Sequence, residues 1–248
     1  MKVAVVQFAP VFKAMQDNLR KLAGFVKEAA QNGAKLVVLP ELATTGYSFM
    51  SKAEAAECAE PIPEGQTFKV MKALSERLGV HVVWGMVEKV PQTGKVHNSQ
   101  VLVAPNGQWV SYQKVNPWGN DWLWADEGRA NPPILSCDFG EHGTKKVGLL
   151  ICRDVRDRKN DKWSDFYESG DADLVAFSSN WGNGGFPAIA WIDFVRDNNI
   201  TLLVSNRYGK ESHNDFGHGG VCAITANPFE IKCDGLVWDA DCIVYADV

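Results

Sequence analysis

Val3-Ala4-Val5-Val6-Gln7-Phe8 and, further on, Leu36-Val37-Val38-Leu39-Pro40-Glu41 are the two stretches that decide how this chain folds. Both are apolar at successive rather than alternate positions, the pattern of a strand covered on both faces. Between them Leu19, Leu22, Val26, Ala29 and Ala30 recur close to a 3.6-residue period. This predicts a helix capped by Asp17 or Asn18 and ended by Gly33. Pro40 stops the second strand.

The same alternation runs through the rest of the sequence. Phe68, Met71, Leu74 and Leu78 mark a second helix, closed by Gly79 and followed by a strand at residues 80–87. Residues 98–104 and 109–112, joined through Pro105-Asn106-Gly107, predict a hairpin turning on Asn-Gly. Further strands are expected at residues 147–151, 174–178 and 201–205, with shorter ones near 221–224 and 242–246, and a helix from about 187 to 199. Strands alternating with helices indicate the α/β class, with the sheets covered by helices. No low-complexity linker or fixed-period repeat interrupts the pattern, so residues 1–248 read as a single domain.

The composition narrows the partners. With 46% hydrophobic and 22% charged residues the chain has enough apolar surface for a packed core and needs no disulfide or metal staple. A net charge of −5 gives no attraction to phosphate backbones or anionic lipid, which argues against nucleic acid and membrane partners. The N-terminal apolar stretch is broken by Gln7 and lacks the features of an export signal. The six cysteines include no C-x-x-C pair, which points to a reducing, cytoplasmic setting with most thiols buried.

Reactive side chains stand where strands end. Residues 36–39 deliver Glu41 and residues 147–151 deliver Cys152, and in α/β proteins ligands sit beyond the carboxyl ends of strands. A thiol with a carboxylate base suffices for nucleophilic attack on a carbonyl or nitrile carbon. Desolvation after an apolar strand raises the proton affinity of Glu41 and suits it as the base. Lys114, which closes the hairpin, would hold a fixed positive charge against an oxyanion and would also depress the thiol pKa. Taken singly, a glutamate after a strand is a turn residue, a strand-end cysteine is a packed thiol, and the lysine is a surface lysine.

Taken together they have a precedent. Pro40-Glu41 with Thr45-Gly46-Tyr47, Lys114 in Tyr112-Gln113-Lys114, and Gly148-Leu149-Leu150-Ile151-Cys152-Arg153-Asp154 resemble the nitrilase superfamily of carbon–nitrogen hydrolases. Asn98-Ser99, Pro105-Asn106-Gly107, Ser179-Asn180-Trp181, Asn206-Arg207-Tyr208-Gly209 and the glycine-rich run from Phe216 to Gly220 agree in order, so the likeness spans the chain. It implies a four-layer α-β-β-α sandwich, a homodimer or larger homo-oligomer, and no metal or organic cofactor. It also implies Glu41 as general base, Lys114 and the Arg153 backbone N–H as oxyanion donors, and Cys152 as the nucleophile that forms a thioester. The implied substrate is a small amide or carbamoyl compound, with nitrile hydrolysis on the same site as the alternative. A non-catalytic binding or assembly module of the same fold is the reading from another class.

The pattern also departs from the family. Where many members carry a second glutamate between the lysine and the cysteine, the corresponding position here is Asp121, or Glu127 supplies the carboxylate instead. Asn116 stands where a histidine is common, and the charged stretch at residues 153–162 replaces a helix start. Asp154, Asp157, Asp161 and Asp165 interleave with arginine and lysine, which reads as a solvated face with ion pairs and not as a calcium loop. Gly182-Asn183-Gly184-Gly185 lacks dinucleotide-loop spacing and is expected to line the pocket, with Asn180 and Trp181 facing the substrate. The five histidines lack metal-ligand spacing; His81 is expected on a strand's polar side and His218 near the site. Trp118, Trp122 and Trp124 read as core, with a substrate funnel or subunit contact as the alternative.

Overall fold

The computed structural model describes residues 1–156, 172–182 and 185–248. The first part of the chain forms β1 (Lys2–Gln7), α1 (Met15–Gln31), β2 (Leu36–Val38), α2 (Lys52–Cys58), α3 (Gln66–Leu78), β3 (His81–Val90), β4 (Lys95–Val103), β5 (Trp109–Gln113) and the short α4 (Asp121–Trp124). The second part forms β6 (Ile134–Asp138), β7 (Thr144–Ile151), β8 (Leu174–Ser178), α5 (Ile189–Asn198), β9 (Thr201–Ser205), β10 (Lys210–Glu211), β11 (Asn214–Asp215), β12 (Cys222–Thr225), β13 (Glu230–Lys232) and β14 (Cys242–Asp247).

The strands pair into two 6-stranded sheets, ordered β14-β1-β2-β3-β4-β5 and β13-β12-β9-β8-β7-β6, beside the small β10-β11 ribbon. Each sheet has a parallel centre, β1-β2-β3 in one and β7-β8-β9 in the other, flanked by antiparallel strands. The doubly apolar strands explain the layering. Val3, Val5, Leu36, Val38, Val83 and Leu102 point into a core shared with the second sheet. Their neighbours Ala4, Val6, Val37, Leu39, Trp84 and Val101 point the other way, onto Leu22 and Val26 of α1 and Phe68 and Met71 of α3. On the second sheet, α5 packs Trp191, Phe194 and Val195 against β9 and β12. This is the expected α-β-β-α sandwich.

Apolar burial holds the sheets together but tolerates sliding. Directional bonds between them remove that freedom. Ser178 Oγ donates to the carbonyl of Leu39 at 2.7 Å and accepts from Gln100 Nε2 at 2.8 Å, and Ser205 Oγ donates to the carbonyl of Val6 at 2.6 Å. Each such bond contributes only about 0.5–1.5 kcal/mol net, yet breaking one strands a buried polar group. They set the end of β2 beside the end of β8, so the residues that follow the two strands emerge at one place.

Some local expectations are corrected. α1 starts at Met15, ahead of Asp17 and Asn18; Asn18 is buried and spends its amide elsewhere, Nδ2 donating to the carbonyl of Val11 in the preceding loop and to that of Thr44 in the turn after β2. His81 is buried, not on a polar face; its ring packs 4.4 Å from that of Phe139, and its Nδ1 lies 3.2 Å from the carbonyl of Lys35. Of the three tryptophans only Trp124 is core; Trp118 is 52% and Trp122 66% exposed. α2 carries a readable S-x-x-E start, with Ser51 accepting from Glu54 N and Glu54 accepting from Met50 N. No helix among the described residues is long and apolar enough to cross a membrane.

The turn after β2 passes close to β3. Gly85 N donates to the carbonyl of Pro40, and Ala43 N donates to the carbonyl of Gly85, each at 3.0 Å. A Cβ at Gly85 would lie 2.5 Å from Leu42 N and 2.6 Å from Glu41 Cα. Gly85→Ala is therefore expected to lower unfolding free energy by about 1–3 kcal/mol in urea titrations. It is also expected to reduce activity in the fraction that remains folded, because the displaced backbone is that of Glu41. A variant as stable and active as the parent would show that this contact does not hold the turn.

Candidate active site

Hairpin register places the polar groups. Ser99 pairs with Gln113 across β4 and β5, and Lys114 N donates to the carbonyl of Asn98 at 2.8 Å. Asn98 and Lys114 thereby lie side by side at the end of the first sheet, where the turn after β2 brings Glu41. Lys114 Nζ donates to Glu41 Oε1 at 2.8 Å and to Asp121 Oδ2 at 2.7 Å. Asn98 Nδ2 bridges the same two carboxylates, 2.7 Å from Glu41 Oε1 and 3.3 Å from Asp121 Oδ1. Trp118 N donates to Asp121 Oδ2 as the chain turns into α4. All four side chains are buried, whereas Glu127, the alternative carboxylate, is exposed.

Two unused valences matter. An ammonium has three N–H donors and the carboxylates take two, leaving one for an incoming oxygen. Glu41 Oε2 is buried without a hydrogen-bond partner among the described residues, so its lone pairs are open to a proton.

Cys152 comes from the other sheet. It ends β7 with φ 44°, a left-handed conformation that turns the chain abruptly into the 3-10 segment Cys152–Arg156. Its sulfur receives the backbone N–H of Asn180, at the end of β8, and lies within the fields of Glu41, Lys114 and Asp121. Burial pushes the thiol up to about 12, and the Glu41 carboxylate adds to that, against the opposing pull of Lys114. The lysine does pull the thiol down, as expected, but burial and the Glu41 carboxylate outweigh it. With both carboxylates ionised the cluster already carries one net negative charge, and a thiolate would make two.

Glu41 itself is raised above the ordinary carboxylate range by burial, which Lys114 offsets only in part. Lys114 is buried too, but Asp121 and Glu41 hold it protonated well above its usual value. Moving the thiol proton to Glu41 leaves the total charge of the cluster unchanged. That transfer is therefore far cheaper than losing the proton to solvent.

Around the sulfur a cavity of about 260 Å³ is lined by Trp118, Arg153, Arg156, Asn180, Trp181 and Gly182. An adjoining apolar cavity of about 480 Å³ shares Trp181 and Gly182; His218 lines that second space, its Nδ1 2.8 Å from Asp239 Oδ2. Asp154, expected on a solvated face, is buried and accepts from Tyr112 Oη at 2.8 Å, Asn116 N and Ile151 N; burial lifts it to about 7. Residues 157–171, with Asp157, Asp161 and Asp165, lie outside the described residues, as do Asn183 and Gly184. No group of three or more His, Cys, Asp or Glu side chains suited to a metal occurs among the described residues.

Sequence reasoning assigned no role to several supporting groups. Asn98 is one. Another is the buried Arg207–Glu211 pair, joined at 2.9 Å, in which Glu211 Oε1 also accepts from Tyr47 N and Ser48 N at 2.7 Å. Tyr47 Oη in turn donates to the carbonyl of Trp118 at 2.5 Å, tying the loop after Glu41 to the loop before Asp121. Tyr47, Asn98 and Arg207 had been noted only within segments of family likeness, and Trp118 only as a core or funnel residue.

The sequence profile described as carbon-nitrogen hydrolase matches residues 2–180. The chain belongs to the carbon–nitrogen hydrolase family. It is 35% identical to a nitrilase of Pyrococcus abyssi over 62% of its own length, and 33% identical to an omega-amidase of Danio rerio over 62%. The matched region spans just over half of those proteins, 56% and 55% respectively. Its fold is that of an amidase from Nesterenkonia sp., aligned over 100% of this chain and 90% of that chain with a TM-score of 0.78 at 21% identity.

A thiol at about 12 makes a spectroscopic prediction. The thiolate absorbance near 240 nm that disappears in Cys152→Ala is expected to develop only in strongly alkaline solution, with no Cys152 component around neutral pH. A difference signal titrating near pH 7 would mean that Lys114 outweighs burial after all.

Proposed function

We propose that this hydrolase cleaves a non-peptide C–N bond in a small amide or carbamoyl compound through a thioester on Cys152, with residues 1–248 acting as one catalytic domain. The observation that supports it above all is the buried ammonium of Lys114 held between Glu41 and Asp121 beside the Cys152 cavity. In this reading Glu41 Oε2 takes the thiol proton as the sulfur adds to the carboxamide carbon. The third N–H of Lys114 and the backbone N–H of Arg153 receive the developing oxyanion. Glu41 returns the proton to the nitrogen, ammonia or an amine departs, and a thioester remains. Glu41 then takes a proton from water, whose oxygen displaces the sulfur to give the acid and restore the thiol. Asp121 keeps the ammonium aimed, and Asn180 and Trp181 border the bound substrate. Every proton is accounted for without a metal or organic cofactor.

A nitrile reading begins with the same addition and draws on the likeness to the Pyrococcus abyssi protein named a nitrilase. A variant of the Nesterenkonia amidase has been crystallised with butyramide, and a short aliphatic amide suits a cavity of this size. A cytoplasmic homodimer or larger homo-oligomer, acting on neither nucleic acid nor membrane, completes the proposal. Size-exclusion chromatography with light scattering tests the assembly.

Ammonia release from paired amides and nitriles is expected to favour the amides. Cys152→Ala is expected to lower turnover by roughly 10⁴-fold or more while thermal unfolding stays close to the parent's. Glu41→Gln is expected to cost about 10²–10⁴-fold. Asp121→Asn leaves Lys114 short of a buried counter-charge and costs about 3–5 kcal/mol, whereas Glu127→Gln stays within about 0.5 kcal/mol. Substantial activity in Cys152→Ala would remove the nucleophile from this scheme.

The base must be ionised in the free enzyme. Since burial raises Glu41, kcat/KM is expected to fall as pH drops through a value above the ordinary carboxylate range. Lys114 stays charged beyond its usual range and adds no loss on the alkaline side near neutrality. An acid limb at or below about pH 4, the usual glutamate value, would contradict a desolvated base.

A further inference from the structure

Strand register brings two cysteines outside the catalytic centre face to face. β12 and β13 run antiparallel with Ala223 opposite Lys232, Ile224 opposite Ile231 and Thr225 opposite Glu230. One step further along the same ladder sets Cys222, the first residue of β12, opposite Cys233, the residue that follows β13. Residues directly opposite on antiparallel strands put their side chains on one face, with Cα atoms about 4.5–5.5 Å apart, inside the span of about 4.4–6.8 Å usual for a disulfide. Both side chains belong to the same apolar core, Cys222 fully buried and Cys233 half-buried. Burial raises the Cys222 thiol above its ordinary value and Cys233 adds to that, so each sulfur lies within the field of the other. The other strand and helix thiols have different neighbours: Cys137 pairs across with Lys145, Cys242 with Gln7, and Cys58 ends α2.

The pair stands at the root of two arms. Residues 216–222 carry Phe216, His218 and Gly219 to the wall of the cavity of about 480 Å³, and residues 233–239 carry Trp238 there. At their far ends the arms meet through His218 Nδ1 and Asp239 Oδ2 at 2.8 Å and through Asp239 N, which donates to the His218 carbonyl at 3.2 Å. Between root and tip the buried Gln7 bridges them, its Oε1 accepting from Gly220 N at 2.6 Å and its Nε2 donating to the carbonyl of Val237 at 2.8 Å. We infer that Cys222 and Cys233 are a reversible disulfide site, whose bond ties the two arms together at their base. The co-reactant is a small disulfide of the glutathione type. Cys233, the more accessible thiol, attacks one of its sulfurs and releases the first small thiol. Cys222 then attacks the Cys233 sulfur of the mixed disulfide and releases the second. Two electrons pass from the pair to the reagent, and the two cysteine protons leave on the released thiols. In a reducing setting the pair rests as free thiols, the form that the structure holds. β9 and β8 separate β12 from β7, so the bond leaves Cys152 unconsumed.

The test incubates the protein with glutathione disulfide, blocks the remaining thiols by alkylation and maps peptides without reduction. A peptide pair joined through Cys222 and Cys233 is expected, and it is expected to separate on treatment with dithiothreitol. The oxidised protein is expected to unfold a few degrees higher than the reduced one, because the bond closes a loop in the unfolded chain. Backbone amides in residues 216–239 are expected to exchange more slowly. Cys233→Ser is expected to lose the cross-link and the thermal shift together, while its unfolding stays close to that of the reduced parent. In Cys222→Ala, which lacks the resolving thiol, Cys233 is expected to retain one glutathione. A parent in which Cys233 keeps only a glutathione adduct, joins Cys242 or stays unmodified would overturn the inference, as would a thermal shift that survives Cys233→Ser.

Discussion

An ammonium ion shut away from water between two carboxylates is the arrangement on which the rest of this protein turns. Desolvating any one of Glu41, Lys114 and Asp121 costs several kcal/mol, and their mutual attraction offsets this only when geometry and hydrogen bonding are good. The surroundings supply that geometry. Asn98 bridges both carboxylates, Trp118 N–H completes Asp121, and the Asn98–Lys114 backbone bond fixes lysine and amide as neighbours. Gly85 lets the Glu41 backbone come close enough to join. A one-residue slip in the β4–β5 register would turn Asn98 to the opposite face of the sheet and undo the bridge.

The same cluster explains why the sulfur is held as a thiol. One net negative charge is already buried there, so a resting thiolate would be a second. The proton has somewhere better to go only within the cluster, onto Glu41. Under the proposed scheme the nucleophile is made on demand and is a poor target for stray oxidants and alkylating agents between turnovers, since reactivity follows thiolate content. Cysteines that rest as thiolates beside a cation pay for readiness with exposure to such damage.

Much of this was legible in the sequence because the central strands are apolar on both faces, which marks both their position and the residues they deliver. Glu41 and Cys152 stand out as strand-end groups, and the family likeness adds Lys114. Other features depend on direction in space, which pattern does not carry. Asn98 sits in a stretch that reads simply as strand, and only register turns it toward Glu41. Counting along the chain left Asp121 and Glu127 both open; burial separates them. Asn18 looked like a cap because it precedes the first apolar helix residue, but a contact with Thr44, distant in sequence, claims its amide. Trp118 passed for core because hydrophobicity alone cannot distinguish packing on a protein interior from packing on an arginine.

Glu41, Lys114, Asn98 and Asp121 all belong to the end of the first sheet, while the Cys152 sulfur and the Asn180 N–H that meets it belong to the second. Neither half-sandwich holds a working set. What joins them is the apolar seam and a few serine and glutamine bonds, Ser178 to Leu39 among them. Under the proposed scheme turnover is consequently a gauge of interlayer alignment: a shear too slight to expose the core, and invisible to a measure of helix content, would part sulfur from carboxylate and extinguish the chemistry while the molecule remained folded.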